Sequence, residues 1–477
     1  MILDINLYIN GEWLDSYDHK TMPIINPATE EVIGRVAVCH RKNLDDALVA
    51  AQSGFDTWRV VSSFDRSQLM KKAALLLRER VDHISSIMSI EQGKPFIQAK
   101  AEILSATNII DWFASEAVRA YGQVIPPRNI STQQLTICEP VGPVAAFTPW
   151  NFPINQIIRK LCAAISAGCS IIIKGPEETP ASPAELIKVF HDAGIPPGVV
   201  NLVFGVPSEI SNHLIKSPVI KKVSFTGSVS VGKEIASLAG KYMKRVTMEL
   251  GGHAPVIICE DAEINVVVEQ MIVAKFRNSG QVCIAPTRFL VHEKIYDLFK
   301  LKLVDAIKEL KVGPSDNEGN NIGPLIHKKA LTRVHSLVED ALVNGASLVL
   351  GGNRLNKRGF FYEPTVLEDL PHQAKILHEE PFGPIILLIR FKSLDDAILE
   401  ANSLPYGLAA YAYSYDSRNI MKISNNVKCG MLAINHVGLA LPELPFGGIG
   451  ESGYGTEGGS EALACYLDKK LVSLQAC

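Results

Sequence analysis

The chain has 477 residues, 47% of them hydrophobic and 20% charged, with a formal net charge of −3. That length supports about two to four domains, and its scattered, nearly balanced charges exclude the basic stripe of a nucleic-acid surface. Nine cysteines without one Cys-x-x-Cys pair argue against a disulfide framework or a zinc site, and for a reducing compartment.

The opening stretch MILDINLYINGEW lacks the basic start and apolar run of a signal peptide, and nothing in the chain nears the ~18 consecutive apolar residues of a membrane helix. A cytoplasmic protein without membrane or nucleic-acid partners is expected. Residues 7–13 and 25–36 read as strands and turns of an entry hairpin. Apolar residues at helical spacing then predict helices over 43–58, 65–90 and 99–121. Residues 131–139 alternate like an exposed strand, an unprotected edge that a partner subunit would cover. The tail, 464–474, alternates in the same way and is a candidate to pair with it.

From Val141 short apolar strands alternate with capped helices: 144–148 into 155–167, 170–174 into 183–193, 199–204 into 208–216, and 222–226 into 228–239. Parallel pairing requires such crossovers, so these units predict a parallel sheet covered on both faces. Ser182-Pro183-Ala184-Glu185 reads as a capping box with proline at the first helical position. After Glu249 a second set begins: strand 255–259, a helix over 261–276 with Asp261 as N-cap, then strands 288–292, 385–390 and 431–435. A second α/β domain is expected.

Glycine patterns invite two misreadings. Gly448 to Gly453 (GIGESG) matches a dinucleotide fingerprint by letter but lacks the surrounding strand and helix, so it reads as a connector. Gly227 to Lys233 (GSVSVGK) approaches a phosphate loop, yet Glu234 stands where a magnesium-binding hydroxyl is needed. What remains is a strand ending at Gly227 and opening at Ser228 onto a helix N-terminus, where free N–H groups favour a phosphate.

Cys283, in KFRNSGQVCIAP, lies on a polar connector between a helix and a strand, a place where a scaffold displays reactive groups. A thiolate attacks carbonyl carbon readily, but the chemistry also needs an oxyanion donor and a base. Asn151, in TPWNFP, follows a strand and precedes a helix and is a candidate donor. Glu249, in MELGGHAP, precedes a Gly-Gly turn and is a candidate base. Lys174 and Glu177 stand at a strand's carboxyl end, placed to grip a ribose, and Glu380 lies beside Phe382 in EEPFGP.

Together TPWNFP, FTGS at Phe225, MELGG, GQVC, EEPFGP and PFGG at Pro445 resemble the aldehyde dehydrogenase superfamily, in collinear order over nearly the whole chain. The resemblance implies an α/β fold: a Rossmann-type parallel-sheet NAD-binding domain (1–121 and 143–248), an α/β catalytic domain (249–440), and a small β oligomerisation element (122–142 and 441–477). It implies NAD(P)-dependent oxidation of an aldehyde, with Cys283 as nucleophile, Asn151 at the oxyanion and Glu249 activating water. Trp150, Lys174, Glu177, Gly227, Ser228, Glu380 and Phe382 would hold the cofactor, and no metal is implied. A carboxylate at 177 would repel a 2′-phosphate, so NAD is expected over NADP. The likeness is closest to succinic and α-ketoglutaric semialdehyde dehydrogenases, where Arg159 and Arg277 would hold the substrate carboxylate. A homodimer or homotetramer is expected. A non-catalytic nucleotide-binding scaffold and a CoA-acylating enzyme are the alternatives. The chain departs from the pattern at 440–444, which lacks a serine, at Gly175, which replaces a proline, and at Gly450, which replaces a lysine.

Overall fold

The computed structural model describes residues 3–315, 317 and 319–475, so the two residues at each end, Cys477 among them, lie outside the description. Five parallel strands form the centre of the first sheet. In chain order they are Val144–Phe147, Ile171–Lys174, Val200–Val203, Lys222–Gly227 and Arg245–Leu250. The first of them lies between the second and the fourth, so the winding reverses there. Such a reversal opens a crevice at the strands' carboxyl ends, the usual ligand position in open α/β sheets. Gly227 stands at one of those ends and Asn151 lies beyond another. Ile171, Ile172 and Ile173 are fully buried, as two-sided helix cover requires. Each contributes about 1.5–3 kcal/mol by leaving water.

Antiparallel strands close both margins of this sheet: the hairpin Leu7–Ile9 with Glu12–Leu14 at one side, and Gly453–Tyr454 at the other. The fingerprint-like glycines therefore serve sheet geometry. Gly453 has φ +109°, and a Cβ there would lie 1.9 Å from Met248 O.

The second sheet has seven strands, six of them parallel, with Pro255–Ile258 beside both Arg288–His292 and Ala409–Tyr413. Each sheet has its own apolar core. A third, antiparallel sheet pairs Thr132–Pro140 with Leu467–Gln475 on one side and Gln123–Ile125 on the other. The tail thus pairs with the alternating strand. That strand is central, however, and the free edge falls to Leu467–Gln475.

Several expectations are corrected. The helix expected over 65–90 is two, Ser63–Glu79 and Val81–Gln92, broken at Arg80 where φ −100° and ψ 9° leave helical geometry. Arg80 pairs with Asp192 at 2.6 Å. The capping box at Ser182 does not form. Helix Ala181–Ala193 is capped from a distance by Glu91, which accepts from Ala181 N and Ser182 N, both at 2.8 Å. Asp261 is not an N-cap; Glu263 caps Ile264–Phe276, while Asp261 accepts from the backbone of Tyr415 and Asp416. The domain boundary expected at 248/249 falls inside strand Arg245–Leu250, so Glu249 is carried by the first sheet. Of the described part of 441–477, only Leu467–Gln475 joins the small sheet; Gly453–Tyr454 extends the first.

Candidate active site

Helix Ile264–Phe276 ends in a tight turn in which Asn278 (φ 51°), Ser279 (φ 58°) and Gly280 (φ 73°) are successively left-handed. A Cβ at Gly280 would meet Gly383 O at 2.2 Å, so only glycine lets the two loops touch. Beyond this turn Cys283 is half-buried. Burial pushes its thiol up to about 12, helped by Glu380 and Glu249 and opposed by Arg277. Its surroundings therefore favour the thiol over the thiolate, with two carboxyls and a guanidinium within electrostatic reach.

Asn151 is almost fully buried and is not a helix cap; helix Asn155–Ala167 begins after Ile154. Its Nδ2 donates to Gln281 O at 3.1 Å, which fixes one amide N–H two residues before Cys283 and leaves the second for another acceptor. Its Oδ1 has no hydrogen-bond partner among the described residues. The Asn151 main-chain carbonyl accepts from Asn278 Nδ2 at 2.9 Å and from Lys94 Nζ at 3.0 Å.

Glu249 is also buried, and neither carboxyl oxygen has a partner among the described residues. Burial, then Glu457, raises its pKa well above the ordinary value, with Lys160 and Arg159 opposing. A buried carboxyl with a raised pKa is, once ionised, a stronger base than an ordinary carboxylate, which suits it to proton transfer. Gly447 lets it fit, since a Cβ there would lie 3.3 Å from Glu249 Oε1. Sequence reasoning missed its neighbours. Lys160 donates to Thr226 Oγ1 at 2.6 Å and is paired with Glu457, which also accepts from Ser224 Oγ at 3.0 Å. A lysine inside an otherwise apolar helix face was the only available signal.

The expected cofactor residues gather around the crevice. Lys174 ends its strand and is ion-paired with Glu177. Strand Lys222–Gly227 turns at Ser228 into helix Val229–Lys241, whose first N–H groups receive no side-chain cap among the described residues. Trp150 meets Phe382 edge to face at 5.7 Å, which joins a turn of the first sheet to a loop of the second domain. Phe382 is left-handed at φ 45°. Burial lifts Glu380 to about 8 and draws Lys275 down to about 7, the two partly offsetting each other. A helix start beyond one strand, a carboxylate beyond another and an aromatic pair suit a dinucleotide.

The two arginines differ. Arg159 is buried over Phe446 at 4.8 Å and donates to Glu457 O and Ala440 O, both at 2.9 Å. Arg277 is exposed and lies over Phe152 at 5.4 Å, and its guanidinium has no hydrogen bond or ion pair among the described residues. It is the guanidinium open to a ligand. The structure also accounts for two departures. Gly175 donates its N–H to Val203 O at 3.0 Å, and a Cβ there would meet the Phe204 ring at 2.4 Å, so proline would lose the bond and clash. Gly450 has φ +62° with Pro405 O 2.6 Å from a Cβ position, which excludes lysine without a backbone shift.

The sequence pattern of the aldehyde dehydrogenase family matches residues 13–472. The chain is 42% identical to 4-(hydroxymethyl)benzenesulfonate dehydrogenase TsaD1 of Comamonas testosteroni, over 98% of this chain and 97% of the relative. It is 40% identical to glutarate-semialdehyde dehydrogenase of Pseudomonas putida, over 98% and 97%. Among solved structures, an NADP-dependent enzyme of Escherichia coli superposes with TM-score 0.98 at 37% identity, over 99% of this chain and 98% of that one. An NAD+ complex of a Bacillus cereus aldehyde dehydrogenase superposes with TM-score 0.97 at 34% identity, over 99% and 96%.

Proposed function

The chain belongs to the aldehyde dehydrogenase family and is an NAD(P)-dependent aldehyde dehydrogenase, and from that premise we propose that it oxidises a semialdehyde bearing a distal carboxylate to the diacid. The observation that carries the substrate class is Arg277, an unpaired guanidinium within electrostatic reach of Cys283. A planar fork of donors matches a carboxylate.

Cys283 gives up its S–H proton to solvent, and the thiolate Sγ attacks the aldehyde carbon. The oxygen gains the negative charge and is met by the free N–H of Asn151 Nδ2 and by the Cys283 backbone N–H. A nicotinamide, when bound, supplies the hydride acceptor, and loss of hydride leaves a thioester on Cys283. Glu249 then takes a proton from water as the water oxygen adds to the thioester carbon. The carbon–sulfur bond breaks, freeing the acid and the thiol. Lys174 and Glu177 bind the adenosine ribose, Ser228, Gly227 and Trp150 the pyrophosphate side, and Glu380 with Phe382 the nicotinamide side. The Glu177 carboxylate disfavours a 2′-phosphate, so NAD is the preferred cofactor. Arg159, engaged on Ala440 O and Glu457 O, lies within electrostatic reach of Cys283 but has its guanidinium donors committed to the main chain. Glu249, unpartnered and near the thiol, supports hydrolysis over transfer to CoA and turnover over mere nucleotide binding. The antiparallel sheet of Thr132–Pro140 serves assembly into a dimer or tetramer.

A sulfonated aldehyde is the second reading, because a relative 42% identical acts on a benzenesulfonate and a sulfonate presents the same anionic oxygens. Initial rates decide between them. Succinic, glutaric and α-ketoglutaric semialdehydes, a sulfonated benzaldehyde and butanal are compared with NAD and with NADP. The expected kcat/KM for a carboxylated substrate exceeds that for butanal by about 10²-fold or more. Arg277→Leu should raise KM about tenfold for anionic substrates alone. Equal rates for butanal, or an Arg277→Leu effect shared by butanal, would reject the distal-anion reading.

A further inference from the structure

Residues 91–102 (EQGKPFIQAKAE) carry polar side chains that the catalytic scheme leaves unused, and the fold turns four of them onto the loops of Asn151 and Cys283. Gln92 Nε2 donates to Asn278 Oδ1 at 2.7 Å, and Gln98 Oε1 accepts from Asn278 N at 2.8 Å. Lys94 Nζ donates to Glu102 Oε2 at 2.6 Å and to Asn151 O at 3.0 Å, and lies 4.3 Å above the Phe152 ring. The other oxygen of Glu102 accepts from Ile154 N at 3.0 Å and Asn155 N at 3.1 Å, the donors that open helix Asn155–Ala167. Both side chains of the pair are 1% exposed.

A buried ion pair is a weak source of stability, because desolvation offsets most of its attraction. Its placement is more informative. The ammonium sits on the main-chain carbonyl of the residue whose side chain faces the reacting oxygen, and Asn278 donates to the same carbonyl from the thiol loop. Two donors on one carbonyl fix the Asn151 peptide plane, hence the direction of its Cα–Cβ bond. The geometry points to Lys94, held by Glu102, as a positioning residue for the oxidation: it sets the Asn151 main chain and thereby aims the oxyanion amide. This rests on the role given to Asn151 above.

The test separates chemistry that forms an oxyanion from chemistry that does not. Lys94→Met alone leaves Glu102 charged and buried, so it is paired with Lys94→Met/Glu102→Gln, in which an amide oxygen still accepts from Ile154 N and Asn155 N. In the double variant kcat should fall about 30-fold, as misplacement of a catalytic group entails. Acylation of the thiol by p-nitrophenyl acetate should fall in parallel. Alkylation by iodoacetamide, which forms no oxyanion, and KM for NAD should stay within about twofold. In an Asn151→Ala background the loss due to the Lys94 change should shrink to within about twofold, since the two act as one unit. An unchanged kcat, an equal loss in the Asn151→Ala background, alkylation falling with acylation, or failure of both variants to fold would remove Lys94 from this role. A large Asn151→Ala loss with no Lys94 effect sinks this inference alone; an unimpaired Asn151→Ala enzyme sinks both readings.

Discussion

Cys283 and Glu249 share one electrostatic condition: burial raises both above their ordinary pKa values, and the Glu249 carboxyl adds to the rise at Cys283. A group with a raised pKa is protonated as pH falls, so the base form of Glu249 and the thiolate of Cys283 both become more populated as pH rises. kcat should therefore climb as pH rises above neutrality, with no acid-favoured optimum. A flat profile, measured by NADH absorbance, would contradict this. Glu249→Gln keeps the shape and removes the base. It should give a burst of NADH near one equivalent per site, followed by a steady-state rate lower by on the order of 10²-fold. Rapid-quench measurement tests this, and a burst-free enzyme with normal turnover would take Glu249 out of the scheme. Asn151→Ala, lacking an oxyanion donor, should lose about 10²-fold or more in kcat. These three positions were legible because each stands in a short motif on a connector. Lys160 and Glu457 were not, since a lysine's burial depends on a partner 297 positions away.

At the scale of elements, strands and crossovers were readable from periodicity, and helix Asn155–Ala167 ends at Gly168 in the left-handed conformation its glycine allows. Caps were less readable. Ser182 and Glu185 have the spacing of a local box, yet Glu91 takes the helix start from another element, because a buried carboxylate can satisfy two N–H groups and the Ser182 hydroxyl together. Burial raises Glu91 to about 7 from an ordinary 4.5, with those donors opposing. The sign follows. Its folded pKa lies above its unfolded value, so its contribution to stability is complete below about pH 4.5 and is lost as pH rises through about 7. Glu91→Gln, a mimic of the protonated form, should gain about 2–3 kcal/mol on the parent between about pH 5 and about pH 8. Urea unfolding at both pH values measures the change, and a difference constant with pH would show that Glu91 ionises without cost.

For the whole molecule, the chemistry-bearing residues collect where two wound sheets face each other: Asn151, Glu249, Lys174 and Ser228 from the first, Cys283, Arg277, Glu380 and Phe382 from the second domain. That convergence was inferable only through resemblance, because periodicity fixes each sheet's class but not how two sheets meet. The third sheet contributes no residue to this site. It has few strands, an open nine-residue edge at Leu467–Gln475 and exposed Val124, Leu471 and Leu474. Lys469 and Lys470 temper that edge without covering it. Such an edge is a template for pairing with another chain, and a second copy, presenting the same surface, is the partner that closed symmetry supplies. We therefore expect the protein to sediment as a dimer or tetramer and Leu471→Glu/Leu474→Glu to sediment as a monomer. Because every named site residue belongs to one chain, that monomer should still bind NADH, with fluorescence enhancement reporting it. An oligomer that survives both charges would place the assembly surface elsewhere on the fold.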